Sequence, residues 1–568
     1  MELLLSLREE MDSALREALE VLVPGLGEES ISRAVFGPTK SPEHGDLATN
    51  AAMVFSKEHG RKPREMGEEL AARLGEHRFV ESAEVAGPGF VNVRLSRAAF
   101  VHVLHCIGEL GENYGEGTLG QGESVLLEFV SANPTGPMHI GHCRHAAVGD
   151  ALARLLRAAG HDVTTEFYIN DAGTQMEALG ESFRQRCFEA AGMPADAEGT
   201  QYTGEYLAEF ARDFVAGKCV EELQGMAVED FAQEARDRNL QMIKSDLEHM
   251  GVFFDSFVAE RDLHESGEVA ETLQKLRESG RVYEKDGALW LVTDGFGDDQ
   301  DRVLVKSDGA PTYLVPDIAY HHDKFKRGFG RYINVFGADH GGYPPRLRAG
   351  ISHLGHDVSR LTILLLRLVF LLREGKRVKF SKRAGNFVAL ADVVEEAGSD
   401  ATRWFMLSRS VDSELEFDID LAREATNRNP VYKVQYAHAR ICSVERKGRG
   451  AKLRAAEPSG QVLERLSAQV ERDMVLALAQ FPEIVERSAR ELAVHHLPAY
   501  LLHLADLWNS YWSLARTEPG MRILREDDRE LTEARLLLAS ALRQVLANGL
   551  GMMGIAAPRK MLREEEDA

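Results

Sequence analysis

The sequence predicts an α/β protein with a central parallel-sheet domain, an amino-terminal α+β domain and a carboxyl-terminal α-helical bundle. Two observations carry this fold class. Short apolar runs alternate with helical patterns in the middle of the chain, and nearly every window after residue 421 has helical periodicity. Because 568 residues exceed what one hydrophobic core organises, we divide the chain into domains 1–110, 111–421 and 422–568.

The amino-terminal domain is predicted to mix helices with short strands. Apolar runs such as residues 90–93 alternate with windows of helical periodicity. Within residues 45–50, Gly45 and Asp46 suit a turn followed by a helix cap. The glycine-rich residues 111–122 then indicate a linker into the second domain.

A βαβ unit opens the second domain. Residues 125–130 and 163–169 are short apolar runs typical of buried strands. Between them, the proline-containing residues 131–137 cannot be helical, whereas residues 142–159 have helical spacing. This unit predicts a parallel sheet with a ligand crevice at the carboxyl ends of its strands.

An insertion interrupts the alternation of strands and helices. Residues from about 180 to 285 are acidic and mostly helical in pattern, so we assign them to the insertion. The alternation resumes at residues 289–292, and further strands are expected near residues 303–306 and 332–336. Beyond residue 421, leucine-rich stripes at helical spacing predict the bundle.

Composition argues against a disordered or membrane-spanning chain. Apolar residues make up 44% and charged residues 28%, as in ordinary globular domains. No stretch approaches the ~20 apolar residues that a membrane helix needs, and the amino terminus has neither a basic start nor a cleavage site. Five scattered cysteines fit a reducing compartment. We therefore expect free thiols, no membrane partner and a cytoplasmic location.

Charge alone gives a misleading indication of the partners. A net charge of −23 counts against nucleic-acid binding. The charge is uneven, however, because residues 366–383 contain seven basic side chains and one acidic side chain, and a second basic run spans residues 446–454. Such runs form solvated faces as readily as binding patches, so motifs have to decide.

The strongest local signal is the string PMHIGH at the first strand-to-helix junction. A helix amino terminus offers N–H groups and partial positive charge to phosphate, and His139 and His142 can donate to one triphosphate. Gly141 leaves room for an adenine ring against the backbone. Two alternatives stay open. In the first, the histidines are structural residues that cap the helix or are buried and hydrogen-bonded. In the second, they bind zinc together with Cys143 and His145, although zinc ligands usually come from two separated segments.

The second signal is a lysine-rich loop, VKFSKRAGN at residues 378–386. The ammonium groups of Lys379 and Lys382 are point charges well suited to a departing pyrophosphate. By itself the loop is typical of an exposed basic segment. Paired with the histidine motif on an α/β scaffold, it indicates nucleotide chemistry.

The two motifs resemble the HIGH and KMSKS signatures of class I aminoacyl-tRNA synthetases, and their surroundings resemble the bacterial arginyl-tRNA synthetase family. The resemblance covers nearly the whole chain. The strings that carry it are EFVSANPTGPMHIGH (residues 128–142), YINDAG (168–173), GADH (337–340), NPVY (429–432) and VQYAHAR (434–440).

The resemblance implies a Rossmann-like catalytic domain with a helical insertion, an amino-terminal domain that contacts the tRNA elbow, and a helical domain that reads the anticodon. It also implies an enzyme that activates L-arginine with ATP, giving arginyl-adenylate and pyrophosphate, and transfers arginine to the 3′ end of tRNA(Arg). Mg²⁺ would accompany ATP through its phosphates. We expect ATP, Mg²⁺, L-arginine and tRNA(Arg) as partners of a monomer.

The same resemblance implies roles for individual residues. Tyr313 and Asp317 are four residues apart, so on a helix they would share one face. The same spacing is also typical of an ordinary pair of residues on the protein surface. The proposed catalytic residues are His139, His142, Lys379 and Lys382. The ATP-binding residues are Pro137, His139, Gly141, His142, Lys379, Ser381 and Lys382. The arginine-binding residues are Glu128, Ser131, Asn133, Tyr313, Asp317 and His340. The signature comprises Ala132, Asn133, Pro134, Thr135, Gly136, Pro137, Met138, His139, Ile140, Gly141 and His142.

Two positions depart from the family pattern, and three other functions compete with this one. Phe380 stands where methionine is usual and Lys433 where an aromatic residue is expected, but neither change removes a charged group. A related nucleotidylyltransferase would share both motifs without needing the helical bundle. A non-catalytic tRNA-binding homologue should have lost His139, His142 or Lys382, and all three are present. A zinc-dependent RNA-binding module would be revealed by metal analysis.

Overall fold

A computed structural model describes residues 5–26, 33–39, 41–338, 341–378 and 388–561. Within these residues, the amino-terminal unit packs helices against an antiparallel sheet. The strands, in order across the sheet, are Phe36–Pro38, Leu47–Thr49, Phe90–Leu95 and Val80–Ala86. The helices are Leu7–Leu22, Ala51–Ser56, Pro63–Leu74 and Arg97–Leu110.

The turn predicted at Gly45 and Asp46 is present, but Asp46 does not cap a helix. Gly45 has a φ of +100°, and a Cβ there would lie 2.7 Å from a neighbouring carbonyl oxygen. The carboxylate of Asp46 accepts from the N–H of Leu95 at 2.7 Å, and the next helix begins after Asn50. The partner lies 49 residues away in the chain, so local spacing could not reveal it.

The central sheet is parallel throughout its described strands. Its order is Leu361–Leu366, Arg331–Gly337, Ser124–Glu128, Asp162–Ile169 and Ser256–Ala259. The helix Ile140–Ala158 connects Ser124–Glu128 to Asp162–Ile169, which confirms the predicted βαβ unit. Further helices of this domain are Glu260–Glu265, Glu268–Glu278, Leu314–Lys326 and Tyr343–His353.

The insertion ends earlier than the acidic helical pattern indicated. Residues 256–259, which lie inside the predicted range of about 180–285, form an edge strand of the central sheet. Four residues are too few for their period to stand out among the surrounding helices. The strands expected at 289–292 and 303–306 also belong to a separate antiparallel sheet rather than to the parallel one. That sheet contains Val282–Lys285, Ala288–Leu291 and Arg302–Val305, and the insertion helices are Thr174–Ala190, Glu205–Val215, Val220–Gly225 and Val228–His249.

Helices dominate the rest of the chain, as its apolar stripes predicted. A small sheet also lies in this region, and its strands are Val369–Arg373, Lys376–Arg377 and Leu415–Asp418. The described helices are Leu390–Ala397, Ser399–Leu407, Ile419–Arg423, Pro430–Gly450, Gly460–Arg465, Gln469–Ala479, Phe481–Arg490, His496–Thr517 and Arg529–Met552.

A buried arginine joins three separate parts of the fold. Arg403 is fully buried and donates to the carboxylate of Asp150 on the helix Ile140–Ala158. It also donates to the carbonyl oxygens of Met250 (3.0 Å) and Met553 (2.8 Å). The guanidinium therefore links the central domain, the end of the insertion and the last segment of the helical bundle.

The amino-terminal unit docks on the carboxyl-terminal helices. Arg472 donates to the carboxylate of Asp46 at 2.6 Å, and its guanidinium lies 4.5 Å from the centre of the Phe100 ring. The hydroxyl of Tyr114 donates to the carbonyl oxygen of Leu478 at 3.0 Å. The turn that carries Asp46 is therefore held by a side chain from the carboxyl-terminal helices.

Two further observations concern location. Among the described residues, none of the helices combines the length and apolar character needed to cross a bilayer. All five cysteines are free thiols, at positions 106, 143, 187, 219 and 442.

Candidate active site

The central sheet has a topological switch point at Ser124–Glu128. From this strand the chain continues to Asp162–Ile169 on one side, whereas from the neighbouring strand Arg331–Gly337 it continues to Leu361–Leu366 on the other, so the direction of the connections reverses between these two strands. Open parallel sheets bind ligands at such a point, beyond the carboxyl ends of the strands. A cavity of about 740 Å³ lies there.

The cavity brings together many of the predicted site residues. Those that line it are Glu128, Ser131, Ala132, Asn133, Thr135, Gly136, Pro137, His139, Ile140, Gly141, His142 and Asp317. Pro134 and Met138 are buried instead, and Tyr313 is 60% exposed at the start of its helix. His340, Lys379, Ser381 and Lys382 lie outside the described residues.

His139 and His142 begin the helix Ile140–Ala158 as a reciprocal pair. His139 Nδ1 accepts from the N–H of Gly141 (3.1 Å), and His142 Nδ1 accepts from the N–H of His139 (3.1 Å). Because each Nδ1 accepts, the proton of each neutral ring lies on Nε2. A Cβ at Gly141 would lie 2.8 Å from His139 Cε1, so the glycine makes room for the capping ring. The capping alternative is therefore realised, and it orients an Nε2–H donor on each histidine.

The chain leaves the strand Ser124–Glu128 through a strained turn. Val130 and Ser131 have positive φ angles of 66° and 42°. A β-branched residue rarely adopts this conformation, and such strain clusters at functional sites. The turn directs the hydroxyl of Ser131 back to Glu128, to whose Oε1 it donates at 2.8 Å. The same hydroxyl oxygen accepts from the N–H of Tyr168 at 3.1 Å.

Glu128 is paired with a buried lysine that no sequence motif revealed. Lys324 Nζ lies 2.5 Å from Glu128 Oε2 and 3.1 Å from Asn334 Oδ1. Asn334 Nδ2 donates to His321 Nε2 at 2.6 Å, and His321 Nδ1 lies 2.8 Å from the carbonyl oxygen of Asp317. Burial holds the pKa of His321 well below its ordinary value, so the neutral ring donates from Nδ1.

A polar stripe on one helix carries this network. Asp317, Tyr320, His321 and Lys324 follow one another at intervals of three, one and three residues on Leu314–Lys326, and therefore share one face. The face is buried against the sheet rather than solvated. The helical spacing of these four polar residues is the sequence signal that could have pointed to Lys324.

Asp317 lines the cavity and accepts a hydrogen bond from the hydroxyl of Tyr343, a residue that the sequence motifs also missed. Burial raises the pKa of Asp317 to about 7, the Tyr343 hydrogen bond opposes this rise, and the carboxylates of Glu260 and Glu128 reinforce it. Asp317 is therefore poised between its neutral and charged forms near neutral pH.

Two stacked tyrosines stand behind the pocket. The rings of Tyr168 and Tyr320 lie 4.1 Å apart, and their hydroxyls donate to Glu260 (3.1 Å) and Glu166 (2.7 Å). Burial raises the pKa of Glu166, but the hydrogen bonds from Arg327 at 2.6 and 2.8 Å, the charges of Lys324 and Arg327 and the Tyr320 hydrogen bond together bring that pKa down to about 2. Glu166 is therefore a structural anion whose charge Arg327 balances.

The described chain that follows the lysine-rich segment lies against the histidine motif. The N–H of Leu390 donates to the carbonyl oxygen of Met138 at 2.8 Å. His139 and Ala389 form an isolated antiparallel bridge. The chain that resumes after the lysine-rich segment, at residues 389 and 390, is therefore adjacent to the histidine motif.

Comparisons with known proteins identify the family. Residues 7–95 match the Arginyl tRNA synthetase N terminal domain, residues 110–414 the catalytic domain of tRNA synthetases class I (R), and residues 434–561 the DALR anticodon binding domain. The Arginine–tRNA ligase of Desulfovibrio desulfuricans is 44% identical over 551 residues, which span 96% of this chain and 99% of that protein. The Arginine–tRNA ligase of Bacillus subtilis is 39% identical and spans 98% and 100%.

The chain belongs to the arginyl-tRNA synthetase family. The arginyl-tRNA synthetase structure from Thermus thermophilus, at 24% identity, shares the fold with a TM-score of 0.74 over 98% of this chain and all of that chain. The resemblance and the predicted fold class are confirmed, and membership of class I implies the use of ATP. Matches of this length do not favour the nucleotidylyltransferase or the non-catalytic homologue.

Proposed function

We propose that the chain is an arginine–tRNA ligase that activates L-arginine with ATP and transfers it to the 3′ end of tRNA(Arg). One cavity carries the proposal, because it is lined by a helix amino terminus suited to phosphate and by the carboxylates of Glu128 and Asp317, which are suited to a guanidinium. The arginine carboxylate attacks the ATP α-phosphorus, forming arginyl-adenylate and expelling pyrophosphate. Catalysis is then positioning and charge stabilisation, without a protein nucleophile.

The arginine side chain is proposed to bind between Glu128 and Asp317. A guanidinium presents five donors in a plane, and carboxylate oxygens are its best acceptors. Glu128, Asp317 and the nearby Glu260 outnumber the buried Lys324, so the pocket suits a cation. A lysine substrate would leave acceptors without partners, which is the kind of mismatch that gives strong discrimination.

The rest of the arginine molecule is proposed to contact the remaining family residues. Ser131 and Asn133 line the cavity and are assigned to the amino-acid backbone. By family resemblance, Tyr313 is assigned to the side-chain pocket together with Glu128 and Asp317, and His340 is assigned beside that pocket. The Tyr313 ring is largely exposed, so arginine would have a surface to bury there.

ATP is proposed to bind at the amino terminus of the helix Ile140–Ala158. The Nε2–H groups of His139 and His142 and the first N–H groups of the helix favour phosphate oxygens. Among the described residues, no cluster of three or more His, Cys, Asp or Glu side chains is arranged to hold a metal ion. Mg²⁺ fits as an ion carried by ATP phosphates and water, which would neutralise the triphosphate. The proposed ATP site comprises Pro137, His139, Gly141, His142, Lys379, Ser381 and Lys382.

The tRNA is proposed to span the two outer units, with its elbow at the amino-terminal unit and its anticodon at the carboxyl-terminal helices. The basic run at residues 446–454 begins in the last turns of the helix Pro430–Gly450, continues past its end and supplies local positive charge despite the acidic total. We propose a monomer in the cytoplasm, a compartment that free thiols suit.

The test is exchange of labelled pyrophosphate into ATP, measured with each of the twenty amino acids, with and without tRNA(Arg). Exchange with arginine supports the activity and the substrate together. Exchange with another amino acid overturns the assignment of the pocket, and no exchange under any condition overturns the enzymatic function. In this assay, Asp317→Ala should lose arginine selectivity while keeping ATP binding, and Lys382→Ala should slow activation with little change in arginine affinity.

A further inference from the structure

The insertion forms part of the wall of the active-site cavity. The segment concerned connects the helices Thr174–Ala190 and Glu205–Val215. This connection contributes Gln201, Tyr202, Thr203 and Gly204 to the cavity lining, and the first turn of the helix Glu205–Val215 contributes Tyr206. Neither signature motif includes this segment, so the sequence assigned it no role at the site.

Tyr206 reaches the loop that precedes the histidine motif. Its hydroxyl donates to the carbonyl oxygen of Thr135 at 2.6 Å. A Cβ at Gly136 would lie 3.0 Å from the same hydroxyl oxygen, so the glycine permits the close approach. Burial raises the pKa of Tyr206, which keeps the hydroxyl protonated at neutral pH.

The loop has little regular structure to hold it in place. Residues 129–138, all of which are described, contain neither helix nor strand. A backbone carbonyl group that is shielded from water and lacks a hydrogen-bond partner costs about as much free energy as a lost hydrogen bond. The partner of such a group therefore helps to fix the position of the loop. For Thr135 that partner comes from 71 residues further along the chain.

The insertion side of this contact is itself anchored. Arg186 is 8% exposed and donates to the carbonyl oxygen of Thr203 at 2.9 Å. The N–H of Tyr202 donates to Ser182 Oγ at 3.2 Å. These hydrogen bonds fix the segment on the preceding helix, so the residues next to Tyr206 are held in place.

A buried ion pair ties the insertion to the central sheet. The carboxylate of Asp171, which follows the strand Asp162–Ile169, accepts two hydrogen bonds from Arg236 at 2.9 and 2.6 Å. It also accepts from the N–H of Arg261 at 3.0 Å. The Tyr206 contact and this ion pair therefore attach the insertion to the central domain at two places.

We propose that Tyr206 is a positioning residue for adenylate formation. The insertion holds the peptide at Thr135 and Gly136 so that His139 and the helix amino terminus meet the triphosphate. This inference rests on the proposed function, because it assumes that the histidine motif binds ATP. A displacement of about 1 Å at such a site costs about 100-fold in rate, whereas arginine binding at the carboxylates is little affected.

Tyr206→Phe tests the proposal, because it removes the hydroxyl and keeps the ring. In arginine-dependent pyrophosphate exchange, kcat per active site is expected to fall about 10- to 100-fold, while the KM for arginine changes by less than about twofold. The matched control is Tyr283→Phe, whose hydroxyl donates to Asp301 at 3.0 Å in the separate antiparallel sheet. That variant should keep the full rate.

Active-site titration and thermal denaturation separate positioning from folding. A Tyr206→Phe protein with unchanged kcat per active site overturns the positioning role, and so does one whose loss follows only from a smaller folded fraction. A loss confined to the KM for arginine overturns it as well. If the unaltered chain shows no arginine-dependent exchange, the proposed function fails and this inference fails with it, an outcome that the unaltered control reveals before any variant is made.

Discussion

Arginine binding is expected to weaken as the pH falls through 7, because a neutral Asp317 is a poor partner for a guanidinium. Burial raises the pKa of Asp317 to about 7. The Tyr343 hydrogen bond lowers that pKa, Glu260 and Glu128 raise it, and Lys324 lowers it. Below this pKa the carboxyl is protonated and uncharged, and above it the carboxylate can pair with the cation. Affinity should therefore rise with pH.

The size of the effect follows from the ionised fraction. The apparent dissociation constant equals the intrinsic constant divided by the fraction of protein in the binding-competent form. With a pKa of about 7, about nine-tenths of Asp317 is ionised at pH 8 and about one-tenth at pH 6. The apparent Kd for arginine should then be about tenfold higher at pH 6, a difference of about 1.4 kcal/mol.

Isothermal titration calorimetry between pH 5.5 and 8.5 measures this dependence. Titrations in two buffers of different ionisation enthalpy should show about one proton released per arginine bound below pH 7. The control is Asp317→Asn, which should bind arginine more weakly at pH 8 and with an affinity nearly independent of pH. An affinity of the unaltered chain that stays within twofold from pH 6 to 8 would refute the reasoning.

Two further predictions concern contacts between distant segments. Lys324→Met leaves the buried carboxylate of Glu128 without its cation, so the free energy of unfolding should fall by about 3–5 kcal/mol. Arginine affinity should also fall, because Lys324 lowers the pKa of Asp317 and its loss leaves more of that carboxyl protonated. Thermal denaturation and calorimetry check this, and an unchanged melting temperature contradicts it. Arg472→Ala removes the hydrogen bond to Asp46 that docks the amino-terminal unit, so in aminoacylation kinetics the KM for tRNA(Arg) should rise about threefold or more at an unchanged KM for arginine. An equal rise in both constants would argue against a role specific to tRNA.

Local patterns anticipated much of the fold. The helical spacing after residue 421 and the strand–loop–helix order around residue 130 both depend on neighbouring residues, and both appear in the structure. The insertion boundary was misplaced because the strand Ser256–Ala259 has four residues and lies at a sheet edge. The cap assigned to Asp46 failed because its carboxylate binds a distant strand and Arg472.

At the candidate site, the sequence by itself determined the chemical groups and the family: histidines at a helix start, a lysine-rich loop, and carboxylates that suit arginine. Only the tertiary structure decided which groups meet. Lys324 lies 196 residues from Glu128, and Tyr206 lies 71 residues from Thr135. Such pairs depend on sheet order and on how helices pack over the strands, which local periodicity does not encode. The histidine and lysine motifs are recognisable because their residues are neighbours in the chain. The residues that hold the site in place, such as Lys324 and Tyr206, come near it only when the whole chain is folded.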